Sequence, residues 1–129
     1  MAKILIVDWD EIERVNLWSI LEDEGYELLF ASDGNAALKV WEEKTIDLVI
    51  TELAMPELNG LRLIRELVER DPGVRILAIS AISADQLDLA EDFGAGAILY
   101  KPVEPRALLS AVEELMEGPR SRSDRWKWA

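Results

Sequence analysis

Four polar side chains each stand at or just beyond the end of a short apolar run, and their types decide what chemistry this chain can attempt. Asp8 follows Lys3–Val7, Glu52 lies just past Ile46–Ile50, Ser80 follows Val74–Ile79 and Lys101 follows Ala97–Tyr100. Carboxylates brought together can share Mg²⁺, a hard cation that takes one or two of them with waters in a tight octahedron. A lysine or a hydroxyl can instead serve as the partner that a carboxylate removed from water requires. Asp10 is a further acid near Asp8, but its place at the start of a helical pattern makes it a cap or first helical residue. Trp9 stands between them, and its indole can donate one hydrogen bond but cannot ligate a hard cation.

The elements that hold these residues alternate in type. Lys3–Val7, Tyr26–Ala31, Ile46–Ile50, Val74–Ile79 and Ala97–Tyr100 are too short for helices and rich in Ile, Leu and Val, the pattern of parallel strands buried on both faces. Between them the sequence predicts helices over Asp10–Glu24, Asn35–Glu43, Gly60–Arg70, Ser83–Phe93 and Glu104–Glu117. Gly25, Asp71-Pro72-Gly73, Gly94 and Gly118-Pro119 stop four of these. Strict alternation implies right-handed crossovers and helices on both faces of one sheet. A flavodoxin-like α/β fold, doubly wound with five parallel strands in order 2-1-3-4-5 and five helices, fits five such units. It puts function at the carboxyl ends of the strands, between the first and third. Periodicity alone leaves other doubly wound orders open.

Composition narrows the function classes. The 129 residues suffice for one domain, and half are apolar. With no cysteine and no histidine there is no disulfide framework, thiolate chemistry, His-based metal site or phosphohistidine relay. The first apolar run is too short for a signal peptide or a membrane span, so a cytoplasmic protein without membrane attachment is expected. A net charge of −12 argues against nucleic acid as a partner. Of the 14 basic and 26 acidic side chains, residues 1–117 hold 10 and 25, net −15, and residues 118–129 hold 4 and 1, net +3. Residues 3–117 are expected to form the domain, and 118–129 a basic tail carrying Trp126 and Trp128.

The run Ile46-Asp47-Leu48-Val49-Ile50-Thr51-Glu52-Leu53-Ala54-Met55-Pro56-Glu57-Leu58-Asn59-Gly60 resembles the third strand and following loop of response-regulator receiver domains. Val7-Asp8, Met55-Pro56, Asn59-Gly60, Ser80-Ala81 and Lys101-Pro102 are similar to that family's markers, and they occur in its order. The resemblance spans residues 3–117. It implies phosphoryl transfer from a histidine kinase to an aspartate on the third strand, with Mg²⁺ held by acids after the first strand. The positions of Ser80 and Lys101 would then grip the phosphoryl oxygens.

Three departures from that pattern shape the expectation. Glu52 occupies the phosphoacceptor position, where one extra methylene displaces the carboxylate. A misplacement of about 1 Å can cost ~10²-fold in an in-line transfer. Glu52 can instead reach Lys101, a pair standing in for the phosphoryl–lysine contact. Trp9 replaces the second acid, since the Val7 to Gly25 spacing is the family's own; it is expected to lie as a lid over an acidic pocket of Asp8, Trp9 and Asp10. No metal is expected, the residual donors being Asp8, Glu52 and the Ala54 backbone. Ile98 occupies the switch position where receivers usually carry Tyr or Phe, and Tyr100, two residues on, cannot fill the same pocket.

The expectation is therefore an atypical, degenerate receiver. It is not an enzyme, has no cofactor, and signals by protein–protein interaction without normal aspartyl phosphorylation. The alternative is a working phosphoacceptor of a phosphorelay, using Glu52 or Asp8 with Mg²⁺. A flavodoxin-like ligand binder is disfavoured, because Asp8-Trp9-Asp10-Glu11 lacks glycines and hydroxyls and repels phosphate. Partners are expected to be proteins, a histidine kinase or an effector, or a second copy through the fifth strand and fourth and fifth helices. Asp85, Asp88, Asp92, Tyr100, Glu104 and Arg106 are the candidate residues of that surface. On the first helix Leu17, Ile20 and Leu21 form the core stripe, and Val15 and Trp18 fall off it.

Overall fold

The computed structural model describes residues 1–55, 58–81 and 84–118. Pro56 and Glu57 of the expected motif, Ser83 and the tail with Trp126 and Trp128 lie outside the described residues. Five parallel strands, β1 (Lys3–Val7), β2 (Glu27–Ala31), β3 (Leu48–Glu52), β4 (Ile76–Ser80) and β5 (Ala97–Tyr100), form one sheet in the order β2-β1-β3-β4-β5. The helices between and after them are α1 (Glu11–Leu21), α2 (Gly34–Glu43), α3 (Gly60–Arg70), α4 (Ala84–Phe93) and α5 (Pro105–Glu117). This is the expected flavodoxin-like order.

The sheet is buried on both faces because successive strand residues feed opposite cores. Ile4, Ile6, Leu48, Ile50, Leu77 and Ile79 pack with Leu17 and Leu21 of α1 and Leu108, Val112 and Leu115 of α5. Leu5, Val7, Val49, Ile76 and Ala78 pack with α2, α3 and α4, chiefly through Ala37, Leu63, Ile64, Leu67, Leu87 and Ala90. Side-chain acceptors fix where four helices begin. Asp10 accepts from the Ile12 amide (3.0 Å), Asp33 from Ala36 (2.8 Å), Asn59 from Arg62 (3.0 Å) and Glu104 from Ala107 (2.9 Å).

Two boundaries differ from the sequence reading in ways that bear on the site. The third strand runs Leu48–Glu52, two residues later than its apolar stretch. Thr51 and Glu52 continue the ladder opposite Ala78 and Ile79 and are buried despite being polar. The first helix stops at Leu21, and Glu22-Asp23-Glu24 form a turn into Gly25, whose φ of +85° suits a residue without a Cβ. Glycine is also required at position 60. A Cβ there would lie 2.2 Å from the Glu52 carbonyl oxygen, so only glycine lets α3 start this close to the end of β3. Among the described residues no helix is long and apolar enough to cross a membrane.

Candidate functional site

At the carboxyl ends of β1, β3 and β5 three side chains converge. The Lys101 ammonium donates to Asp8 Oδ2 at 2.9 Å and to Glu52 Oε1 at 3.2 Å. Both carboxylates are almost fully buried, Asp8 1% and Glu52 6% exposed. Their other oxygens are also engaged. Asp8 Oδ1 accepts from the Asp10 amide at 2.9 Å, and Glu52 Oε2 accepts from the Leu53 amide at 2.8 Å. The hydrogen bonds are charge-assisted, and each carboxylate has an acceptor role for both oxygens. Burial lowers the Lys101 pKa, but the hydrogen bond and charge of Asp8, followed by Glu52, outweigh it and hold the ammonium above its ordinary value.

Local structure explains the placement. β5 continues through a backbone bond from the Lys101 amide to the Ser80 carbonyl (3.0 Å), which brings the lysine level with the end of β4. The Lys101–Pro102 peptide is cis. The Thr51 hydroxyl donates to the Glu52 carbonyl (2.9 Å), and the Gly60 amide donates to the Leu53 carbonyl (2.9 Å), tying the loop after β3 to the start of α3. Ser80 is fully buried at the end of β4, where the sequence placed it.

Two members of this site went unnoticed in the sequence. Glu13 comes within 3.9 Å of Lys101 as a third, looser carboxylate, and Arg14 donates to the Asp8 carbonyl oxygen at 2.6 Å. They lie three and four residues beyond the Asp10 cap, in the first turns of α1, and reach the site only through tertiary packing, which helical spacing within α1 does not signal.

Two expectations about the pocket are corrected. Trp9 is 56% exposed and is no lid. Asp8 turns inward to Lys101 while Asp10 turns to cap α1, which leaves the residue between them facing out. Asp10 contributes its amide to Asp8, but its carboxylate serves the helix, so the acids about Lys101 are Asp8, Glu52 and Glu13. Ala54 is exposed just past β3. Ile98 is partly buried against the α2–α3–α4 side of the core, whereas Tyr100 is 53% exposed. Asp85, Asp88, Asp92, Glu104 and Arg106 are all exposed, as are Val15 and Trp18 on α1.

The family model for the response regulator receiver domain matches residues 4–113. The chain belongs to this receiver family. The receiver is 32% identical over 116 residues to the chemotaxis protein CheY of Thermotoga maritima, covering 88% of this chain and 96% of that one. It is 31% identical over 117 residues to the response regulator receiver protein CpdR of Brucella abortus, covering 90% and 98%. It also matches the transcriptional regulatory protein GlrR of Escherichia coli K12 at 32% identity, but spans only 29% of that protein's length. Among solved structures, a receiver domain protein from Clostridium thermocellum superposes with a TM-score of 0.85 at 32% identity, covering 90% of this chain and 94% of that one. The response regulator TrrA of Thermotoga maritima, solved in complex with Mg(2+)-BeF, gives 0.82 at 31% identity and coverage of 89% and 99%.

The Mg²⁺ that the family implies does not fit the donors of this receiver as they are arranged. All four oxygens of Asp8 and Glu52 accept hydrogen bonds, and the ammonium of Lys101 lies between the two carboxylates. Position 9 offers no oxygen side chain to join Asp8 as a second acid after β1.

Proposed function

We propose that this receiver is a signalling module whose binding surface is held in one state by its own side chains instead of by aspartyl phosphorylation. The observation that carries the reading is the bond from Lys101 to Glu52. The longer acid places a permanent negative charge beside the lysine, where a receiver of the ordinary kind presents a phosphoryl oxygen only transiently. With Glu52 also fixed by the Leu53 amide, its carboxylate is neither positioned nor free to attack an incoming phosphorus in line. No Mg²⁺ and no catalytic turnover belong to this reading.

The module then acts by contact with other proteins in the cytoplasm, a histidine kinase or an effector, or with a second copy. The exposed side of α4, β5 and α5, with Asp85, Asp88, Asp92, Tyr100, Glu104 and Arg106, supports the last two uses. It offers charge of mainly one sign around a single aromatic ring. Ile98, half-buried in the core, supports the absence of an aromatic rotamer switch.

The retention of Asp8, Ser80 and Lys101 favours a second reading, a working phosphoacceptor that uses Glu52 or Asp8 with Mg²⁺. Treatment of the purified chain with a small-molecule phosphodonor and Mg²⁺, followed by intact-mass measurement, separates the two. An unchanged mass supports the first reading; stoichiometric gain of a phosphoryl group supports the second.

A further inference from the structure

One face of α1 lacks a covering element among the described residues. Val15 and Trp18 are 54% and 44% exposed, and Phe30 of the edge strand β2 is 41% exposed. With Glu11 and Arg14 they line an open groove of about 350 Å³ between α1 and β2. Isolated exposed apolar residues are ordinary, but two aromatic rings and a valine facing one groove form a contiguous patch.

The approach to this groove is acidic. Tyr26, at the start of β2, has its hydroxyl pKa raised by burial and then by the charges of Glu113, Glu24 and Glu117. The end of α5 is thereby placed beside the turn that follows α1. Glu22, Glu24, Glu27, Glu113 and Glu117 are all exposed there. Gly118 caps α5 at this corner, and the chain beyond it, outside the described residues, reads Pro-Arg-Ser-Arg-Ser-Asp-Arg-Trp-Lys-Trp-Ala. That segment carries four cations, one acid and two tryptophans.

We propose that residues 119–129 are the occupant of this groove, with Trp126 or Trp128 against Trp18, Val15 and Phe30 and the arginines along the acidic corner. Reach allows it. Tyr26 and Phe30 are four strand residues apart, about 13 Å, and eight residues from Pro119 to Trp126 span up to about 26 Å when extended. Charge favours it, since cations of the segment meet a body of net −15. Burial of an indole, which removes up to some 150–250 Å² from water, offsets part of the cost of ordering the segment. Arg14 also donates to the Asp8 carbonyl, so the seat of the segment and the Lys101 cluster share a side chain. Docked there, the segment is an internal cover that any partner of α1 must displace.

The absence of cysteine makes the test direct. In the full chain, Val15→Cys is combined with Lys127→Cys, and the control combines Glu69→Cys, exposed on α3 on the other side of the sheet, with Lys127→Cys. Disulfide formation is followed at low protein concentration by intact mass and non-reducing gels. The expected result is an intramolecular bridge formed at least about tenfold faster for the 15/127 pair, since bridging needs Cα atoms roughly 4–7 Å apart. Adding Trp126→Ser with Trp128→Ser is expected to reduce the rate to that of the control. Glu11→Cys with Lys127→Cys repeats the comparison from the other end of the groove in case residue 15 does not tolerate change. Equal rates for groove and control pairs overturn the proposal. So do disulfide-linked dimers as the main product, which would assign the groove to a second copy.

Discussion

Lys101 and Glu52, 49 residues apart in sequence, meet at 3.2 Å across the carboxyl end of the sheet. The contact exists because β3 extends two residues beyond its apolar stretch and so carries Glu52 into the interior. Asp8 shares the same ammonium at 2.9 Å, so one cation serves two buried acids. Removing one partner from such a set costs far more than the set's net contribution, because the charges left behind have lost their solvent as well as their counterion.

Lys101→Met is accordingly expected to destabilise the fold by roughly 3 kcal/mol, the lower end for breaking a buried pair, since the lysine itself retains some solvent contact. Urea denaturation measures it. A loss below about 0.5 kcal/mol would show that the cluster behaves as a surface pair.

The same bond sets a pH dependence. The folded state raises the Lys101 pKa above its ordinary value of 10.5, so the stabilisation is fully present below that value and is lost as pH rises through the higher folded-state value. The stability difference between the wild-type chain and Lys101→Met should be constant from neutral pH to about 10 and shrink above it. Denaturant midpoints across this range test the sign; a difference that grows with alkalinity contradicts it.

Gly60→Ala should be more damaging than any ordinary helix-start substitution. The added methyl would stand 2.2 Å from the Glu52 carbonyl oxygen, forcing α3 away from β3, with an expected cost of about 2–3 kcal/mol. At Gly25 the space is open and only the positive φ resists, so Gly25→Ala should cost nearer 1 kcal/mol. Thermal melts of the two variants should rank them in that order.

Much of this arrangement was legible in the residues. Runs such as Lys3–Val7 and the glycine stops at Gly25 and Gly94 delimit the strands and helices, and their alternation implies a doubly wound parallel sheet; among the orders this allows, the resemblance to receivers favours the one that is found. Asp8, Glu52, Ser80 and Lys101 could be placed at strand ends because each follows an apolar run. Apolar periodicity was blind to the last part of β3, since Thr51 and Glu52 are buried by ladder pairing and not by hydrophobicity. It was equally blind to direction in the loop after β1, where the turn of Asp8 inward sends Trp9 outward. Glu13 and Arg14 were hidden for another reason. Their roles arise only when α1 is packed on β1 beside α5, so that its first turns meet Lys101 and the end of β1, a tertiary relation that no local pattern records.

The central claim, that Glu52 and Trp9 together remove phosphoryl acceptance, is tested most directly by intact-mass measurement after treatment with a small phosphodonor and Mg²⁺. Four chains are compared: wild type, Trp9→Asp, Glu52→Asp and the double variant. Trp9→Asp supplies the missing oxygen ligand, and Glu52→Asp withdraws the carboxylate by one methylene from Lys101; each repairs one half of the site. The expected result is phosphoryl gain on the double variant alone, with the wild-type chain and both single variants slower by roughly 10²-fold or more. Wild-type protein that gains a phosphoryl group on Glu52 or Asp8 at a rate near the double variant's would contradict the claim and establish it as a working phosphoacceptor.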